Sequence, residues 1–270
     1  MRAAALAFIL VLAAPQAAMA QSEMRYDGPP LPHSTDQATL REIAIGREVR
    51  ERFARGIAAL DKSDYAGAIA EFESVLRRDP GEPQGSTAHY DLSLAYAGAG
   101  AYDRAANELQ TAIALDPAFL AAYANLIVVD LQRGDEAGAR AAADRFVALA
   151  PSSARALYSR GLTALRAGDT ATARADFARL LEKNPMYAPA HYDLALVALR
   201  AGHIDIAERE LELALASAPA YPRARFALGI VLLREGRREE ARLAFAQVVH
   251  DASDPSLRNM ALSIHDSLTQ

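Results

Sequence analysis

Cysteine and tryptophan are both absent from the chain. Without cysteine there can be no disulfide, thiolate metal centre or cysteine nucleophile. The lipid-bearing N-terminal cysteine of a bacterial lipoprotein is excluded too. Lysine is nearly missing: Lys62 and Lys183 are the only two, and almost all positive charge is arginine. Together with the abundant alanine, this reads as GC-rich coding bias and not as recognition chemistry. Aromatic residues make up only 7% of the chain, which suits closely packed helices better than a β-sandwich. The net charge of −5 argues against a nucleic-acid backbone as partner. What is plentiful is apolar: 51% hydrophobic against 23% charged residues marks an ordered chain with a large core.

The one long apolar run lies at the start. Met1 and Arg2 precede an apolar stretch from Ala3 to Ala14, which Pro15 and Gln16 end. Ala18-Met19-Ala20 then forms a small-x-small cleavage site before Gln21. The run is shorter than the ~20 residues a spanning helix needs. Residues 1–20 therefore read as a secretory signal peptide with Ala18 and Ala20 at the cleavage site. The mature chain is expected to be periplasmic or secreted, with no membrane span; an uncleaved leader would instead anchor it to the inner membrane. Residues 21–35, holding Gly28, Pro29, Pro30 and Pro32, cannot sustain a helix and read as a flexible tether. Helical periodicity resumes at 36–48 as an N-terminal extension.

Beyond it the chain repeats every 34 residues. Gly100, Gly134, Gly168, Gly202 and Gly236 stand in strict register, as do Ala105, Ala139, Ala173, Ala207 and Ala241, and Pro117, Pro151, Pro185 and Pro219. The glycine stops one amphipathic helix. The alanine five residues later lets two helices approach closely. A larger apolar residue follows at Phe177, Leu211 and Phe245, with Leu180, Ala214 and Val248 one turn on. The proline falls where the second helix ends.

This pattern resembles the tetratricopeptide repeat family, and with the leader the chain is expected to be a bacterial, exported member of it. The resemblance implies an all-α, right-handed solenoid of helix-turn-helix units. Six units occupy 49–255: 49–82, 86–119, 120–153, 154–187, 188–221 and 222–255, with Pro83-Gln84-Gly85 inserted after the first. Residues 256–270 read as a capping helix with Leu257, Met260, Ala261, Ile264 and Leu268 on one stripe. The chain departs from the family where tryptophan often stands, having Arg52, His89, Tyr123, Leu157, His191 and Arg225 there. Arg55 and Arg160 also interrupt a core column. Packing less ideal than the family norm is expected.

The resemblance implies further that the first helix of each unit lines a concave groove. One column there reads Phe53, Tyr90, Ala124, Tyr158, Tyr192 and Phe226, and four residues on come Ile57, Leu94, Val128, Leu162, Leu196 and Ile230. Gln132, Arg166, Arg200 and Arg234 flank this stripe. The candidate partner-binding residues are Tyr90, Tyr158, Tyr192, Phe226, Leu162, Leu196, Arg166, Arg200 and Arg234, a greasy groove rimmed by arginine that suits a peptide or amphipathic helix. The same stripe could equally pack against neighbouring units. The groove lacks the lysine and asparagine pattern of the carboxylate-clamp co-chaperones.

Ala88-His89-Tyr90-Asp91-Leu92 recurs as Ala190-His191-Tyr192-Asp193-Leu194, three repeats away. At that separation the two cannot share a metal, and they read as repeat homology. No catalytic residue, metal or cofactor is implied. The expected function is a non-enzymatic scaffold for a protein or peptide partner outside the cytoplasm, or else an accessory or chaperone subunit of an envelope assembly machine (pilus, secretion or cytochrome maturation).

Overall fold

The computed structural model describes residues 37–78 and 84–269. The leader with Ala18 and Ala20, the proline-rich tether, and Pro80 and Pro83 lie outside them. The described residues form thirteen helices and no strand. In chain order they are α1 Gln37–Asp61, α2 Tyr65–Leu76, α3 Gln84–Gly98, α4 Tyr102–Leu115, α5 Leu120–Arg133, α6 Glu136–Leu149, α7 Ala154–Arg166, α8 Thr170–Lys183, α9 Ala188–Arg200, α10 Ile204–Ser217, α11 Pro222–Arg234, α12 Arg238–Asp251 and α13 Pro255–Thr269. They divide into two compact units, one ending at Ala101 and the other beginning at Tyr102.

Each hairpin is made by its turn chemistry. All five register glycines have positive φ, between 76° and 81°, where a side chain would strain the backbone. In the first repeat Ser63 takes this place at φ 58°, an uncommon conformation for a residue with a Cβ. The residue after the turn often caps the next helix. Asp64, Asp135 and Asp169 accept from the backbone N–H of Gly67, Gly138 and Thr172.

In the first unit α1 runs unbroken for 25 residues, so the extension and the first repeat helix are one element. Val49, Val75 and Ala88 form one core cluster there, with Phe53 and Leu76 packed beside them. In the second unit α4 packs on α5, and α5 to α12 pack as four successive helix pairs, the solenoid arrangement. The alanine column is the close contact between helices: Ala105, Ala139, Ala173, Ala207 and Ala241 are all fully buried. At the C-terminal end Leu257 and Ala261 of α13 close over Leu232, Phe245 and Val248. Without α13 that apolar face would meet water.

Core volume is balanced within each hairpin. A Cβ added at Gly161 would lie 2.5 Å from the Phe177 ring; at Gly56 and Gly229 it would lie 2.7 Å from Phe72 and Phe245. Where the second helix carries Ala143 or Leu211 instead of phenylalanine, the first carries Ile127 or Ala195. Large is matched with small in these five hairpins, as close packing requires.

The polar residues in the tryptophan column also find partners, which tempers the expected loss of packing. Tyr123 donates to the Pro117 carbonyl at 3.2 Å, Arg225 to Pro219 at 2.5 Å, and the His191 Nε2 lies 2.9 Å from the Pro185 carbonyl. Each thereby ties its helix to the turn just before it. The other His191 nitrogen, Nδ1, lies 2.7 Å from Glu210 on α10. The arginines of the next column pair likewise with the second helix. Arg160 holds the buried Asp176 with two bonds of 2.7 Å, and Arg55 meets Glu71 at 2.9 Å.

Candidate functional site

The candidate residues share the first-helix face, but most are engaged in packing as well. Phe53 meets Phe72 edge-on at 5.5 Å, and Phe226 meets Phe245 at 5.3 Å. Tyr158 leans on Phe177 at 5.9 Å, and Tyr192 packs with Leu196 against the core of its hairpin. Tyr90, Tyr158, Tyr192, Phe226, Leu162 and Leu196 are all half-buried. The stripe is thus shared between core and surface. Arg166 and Arg234 are exposed, whereas half-buried Arg200 donates to the carbonyl of Leu165 in the last turn of α7. There it adds a second donor to a carbonyl that already accepts from the Gly168 N–H at 3.2 Å.

In the second unit the stripe deepens into a polar centre that the sequence pattern alone did not pick out. Asp193, on α9, is 4% exposed. The Tyr158 hydroxyl, on α7, lies near enough to its carboxylate to stabilise the charge. One carboxylate oxygen, Oδ2, is buried without any hydrogen-bond partner. Burial, opposed by the Tyr158 hydroxyl and by nearby Arg223, pushes the Asp193 carboxyl up to about 7. Tyr187 and Tyr221 complete the surround. The Tyr158 and Tyr187 rings stand 5.4 Å apart near perpendicular, and Tyr192 and Tyr221 are also 5.4 Å apart. All four phenols are held above their ordinary range, by burial first and by the Asp193 charge second, with Tyr192 at about 12. Four tyrosines and one carboxyl therefore form a single electrostatic cluster.

Two further features bear on chemistry. A cleft lined by Arg140, Asp144, Arg160, Asp169 and Thr172 has its charges already paired: Arg160 with Asp176 and Asp144, Arg140 with Asp169. Among the described residues no group of histidine, aspartate or glutamate could hold a metal ion, and no helix is long and apolar enough to cross a membrane.

Stacked helix pairs joined by left-handed glycine turns, with a half-apolar face on the first helices, define a helical-repeat interaction module. The tetratricopeptide repeat model matches residues 53–118, 90–154, 125–189 and 192–256, and a second such model matches 164–219. The chain belongs to the tetratricopeptide repeat family. No curated protein matches it. Among solved structures it is similar to TTC0263, a thermophilic TPR protein of Thermus thermophilus, with 25% identity over 66% of this chain and 98% of that one, TM-score 0.56. It is also similar to PilW, described as a widely conserved type IV pilus biogenesis factor (18%, 79% and 98%, TM-score 0.67). MamA from Desulfovibrio magneticus RS-1 is a third such structure (17%, 63% and 96%, TM-score 0.57). The last two are likenesses of fold.

Proposed function

We propose that this chain is a non-enzymatic scaffold outside the cytoplasm that holds another protein by a peptide or helix laid along its first-helix face. The observation that carries this reading is the tyrosine cluster around Asp193. It sets paired tyrosine rings on one face over a buried carboxyl whose Oδ2 has no hydrogen-bond partner, and tyrosine is among the anchors that dominate protein interfaces. The leader at residues 1–20 supports the compartment. Tyr158→Ala combined with Tyr192→Ala should abolish capture of the partner while far-ultraviolet circular dichroism stays helical. Retained capture would move recognition to another face. Fusion of residues 1–36 to a reporter active only after export should give activity; an inactive fusion would contradict the compartment.

The fold likeness to PilW, over 79% of this chain, favours a second reading as an accessory subunit of an envelope assembly machine. A deletion strain that assembles its pili and secretes normally would argue against it.

A further inference from the structure

The column holding Asp193 reads Ala54, Asp91, Asn125, Ser159, Asp193 and Ala227 across the six units. Alanine stands at both ends, and Ala227 is 2% exposed, so packing at this place does not require a carboxyl. A buried carboxylate lacking a partner is destabilising unless something pairs with it. Nothing in the second unit does so fully. Tyr158 and Arg223 both lie close enough to favour the charge, without an ion pair, and Oδ2 accepts no hydrogen bond. His191, beside it in sequence, is turned to Glu210 and the Pro185 carbonyl.

Tyr187 and Tyr221 supply two of the rings beside it. They occupy the N-cap positions of α9 and α11, yet make no side-chain cap hydrogen bond. A serine would cap better, as Ser153 does for α7. Their rings instead stand against Tyr158 and Tyr192 around the carboxyl. Tyrosine faces carry negative potential and attract cations, most strongly when water is excluded.

We propose that Asp193, ringed by Tyr158, Tyr187, Tyr192 and Tyr221, is a subsite for a lysine side chain of the peptide bound on the first-helix face. This rests on the groove reading above and names the chemistry of its partner. Lysine fits better than arginine because a single free oxygen accepts from a compact ammonium, whereas a guanidinium prefers two oxygens in parallel. The tyrosine faces line the aliphatic stem and surround the charge. Binding must expel the proton from a carboxyl that titrates near 7. Affinity therefore rises with pH, about tenfold between pH 6 and pH 8 for one such group.

The test uses the full chain and two probes, acetyl-Gly-Leu-Lys-Leu-Gly-amide and the same peptide with norleucine replacing lysine. Tyrosine ring resonances report on the site during titration. The expected result is binding of the lysine peptide at least tenfold tighter than its norleucine twin at pH 8, with the preference shrinking at pH 6. Asp193→Asn should erase it, while Asp91→Asn leaves it intact. Arg223→Ala should keep or strengthen it by removing a competing cation. Helicity and the thermal transition of each variant establish that it is folded. Equal binding of the two peptides, no lysine-dependent shift, or a preference that survives in folded Asp193→Asn would overturn the proposal. Equal binding at the tyrosines would leave the groove reading standing, whereas cross-linking that finds no partner on this face would remove it.

Discussion

Ala88–Leu92 and Ala190–Leu194 are the same five residues on the first helix of two repeats, yet they sit in different chemistry. Both aspartates are pushed up to about 7. For Asp91 burial is the sole cause, while Asp193 also feels the Tyr158 hydroxyl and Arg223. The difference lies in other units of the sequence. The columns that supply Tyr158, Tyr221 and Arg223 around Asp193 read Phe53, Phe119 and Ala121 for the repeat of Asp91. In a repeat protein a motif's role is set by the columns of adjoining units, and identical segments need not do identical work.

The largest difference in stability is expected between the arginines tied to second helices. Arg160→Leu would strand Asp176, which is 1% exposed, and should cost about 3–5 kcal/mol in thermal or urea unfolding. Arg55→Leu in the first unit removes a pair whose arginine is 52% exposed, and should cost under about 1 kcal/mol. Equal losses would deny that burial separates the two. Next comes pH. The folded chain holds the Asp91 and Asp193 protons more tightly than an unfolded chain does, since both values lie above the usual 3.8. Their contribution is full below pH 4 and is lost as pH rises to about 7, at most about 1.4 kcal/mol per pH unit for each. Urea melts should show that decline, and Asp193→Asn should flatten its share of it. An unchanged slope would refute the burial account.

Smaller effects follow. Tyr158→Phe gives Asp193 the neighbour that Asp91's repeat has, and should cost about 1–3 kcal/mol at pH 8 with the carboxyl titrating still higher by NMR. A carboxyl that does not move would mean the hydroxyl is immaterial. Smallest of all, Ser63→Gly should stabilise by about 1 kcal/mol, because serine there holds a conformation glycine adopts freely. A lower melting temperature would contradict that.

Much of the fold was legible in the sequence, because each hairpin imposes one-residue requirements. The left-handed turn asks for glycine and the helix crossing for alanine, so both recur at a fixed period. The C-terminal cap was legible from Leu257 and Ala261 for the same reason. The candidate face was legible only as a stripe. Tyr158 and Phe226 bear on second-helix rings as much as on solvent, and spacing along one helix does not distinguish the two. Polar compensation was also hidden, although Arg52 with Glu71 and His191 with Glu210 share a separation of 19 residues, and Arg55 with Glu71 and Arg160 with Asp176 share 16. Those offsets are the signal that could have revealed it. The Asp193 centre draws its tyrosines and Arg223 from three successive units, so no single window contains it.

The proposed partner would lie along the first-helix face of the second unit. Photo-crosslinkers placed in living cells at Tyr192 and, for contrast, at Leu243 of α12, which is 59% exposed, test this most directly. The expected result is a discrete protein adduct from position 192 and none from 243, identified by mass spectrometry. Adducts from 243 alone, or from neither position, would contradict it.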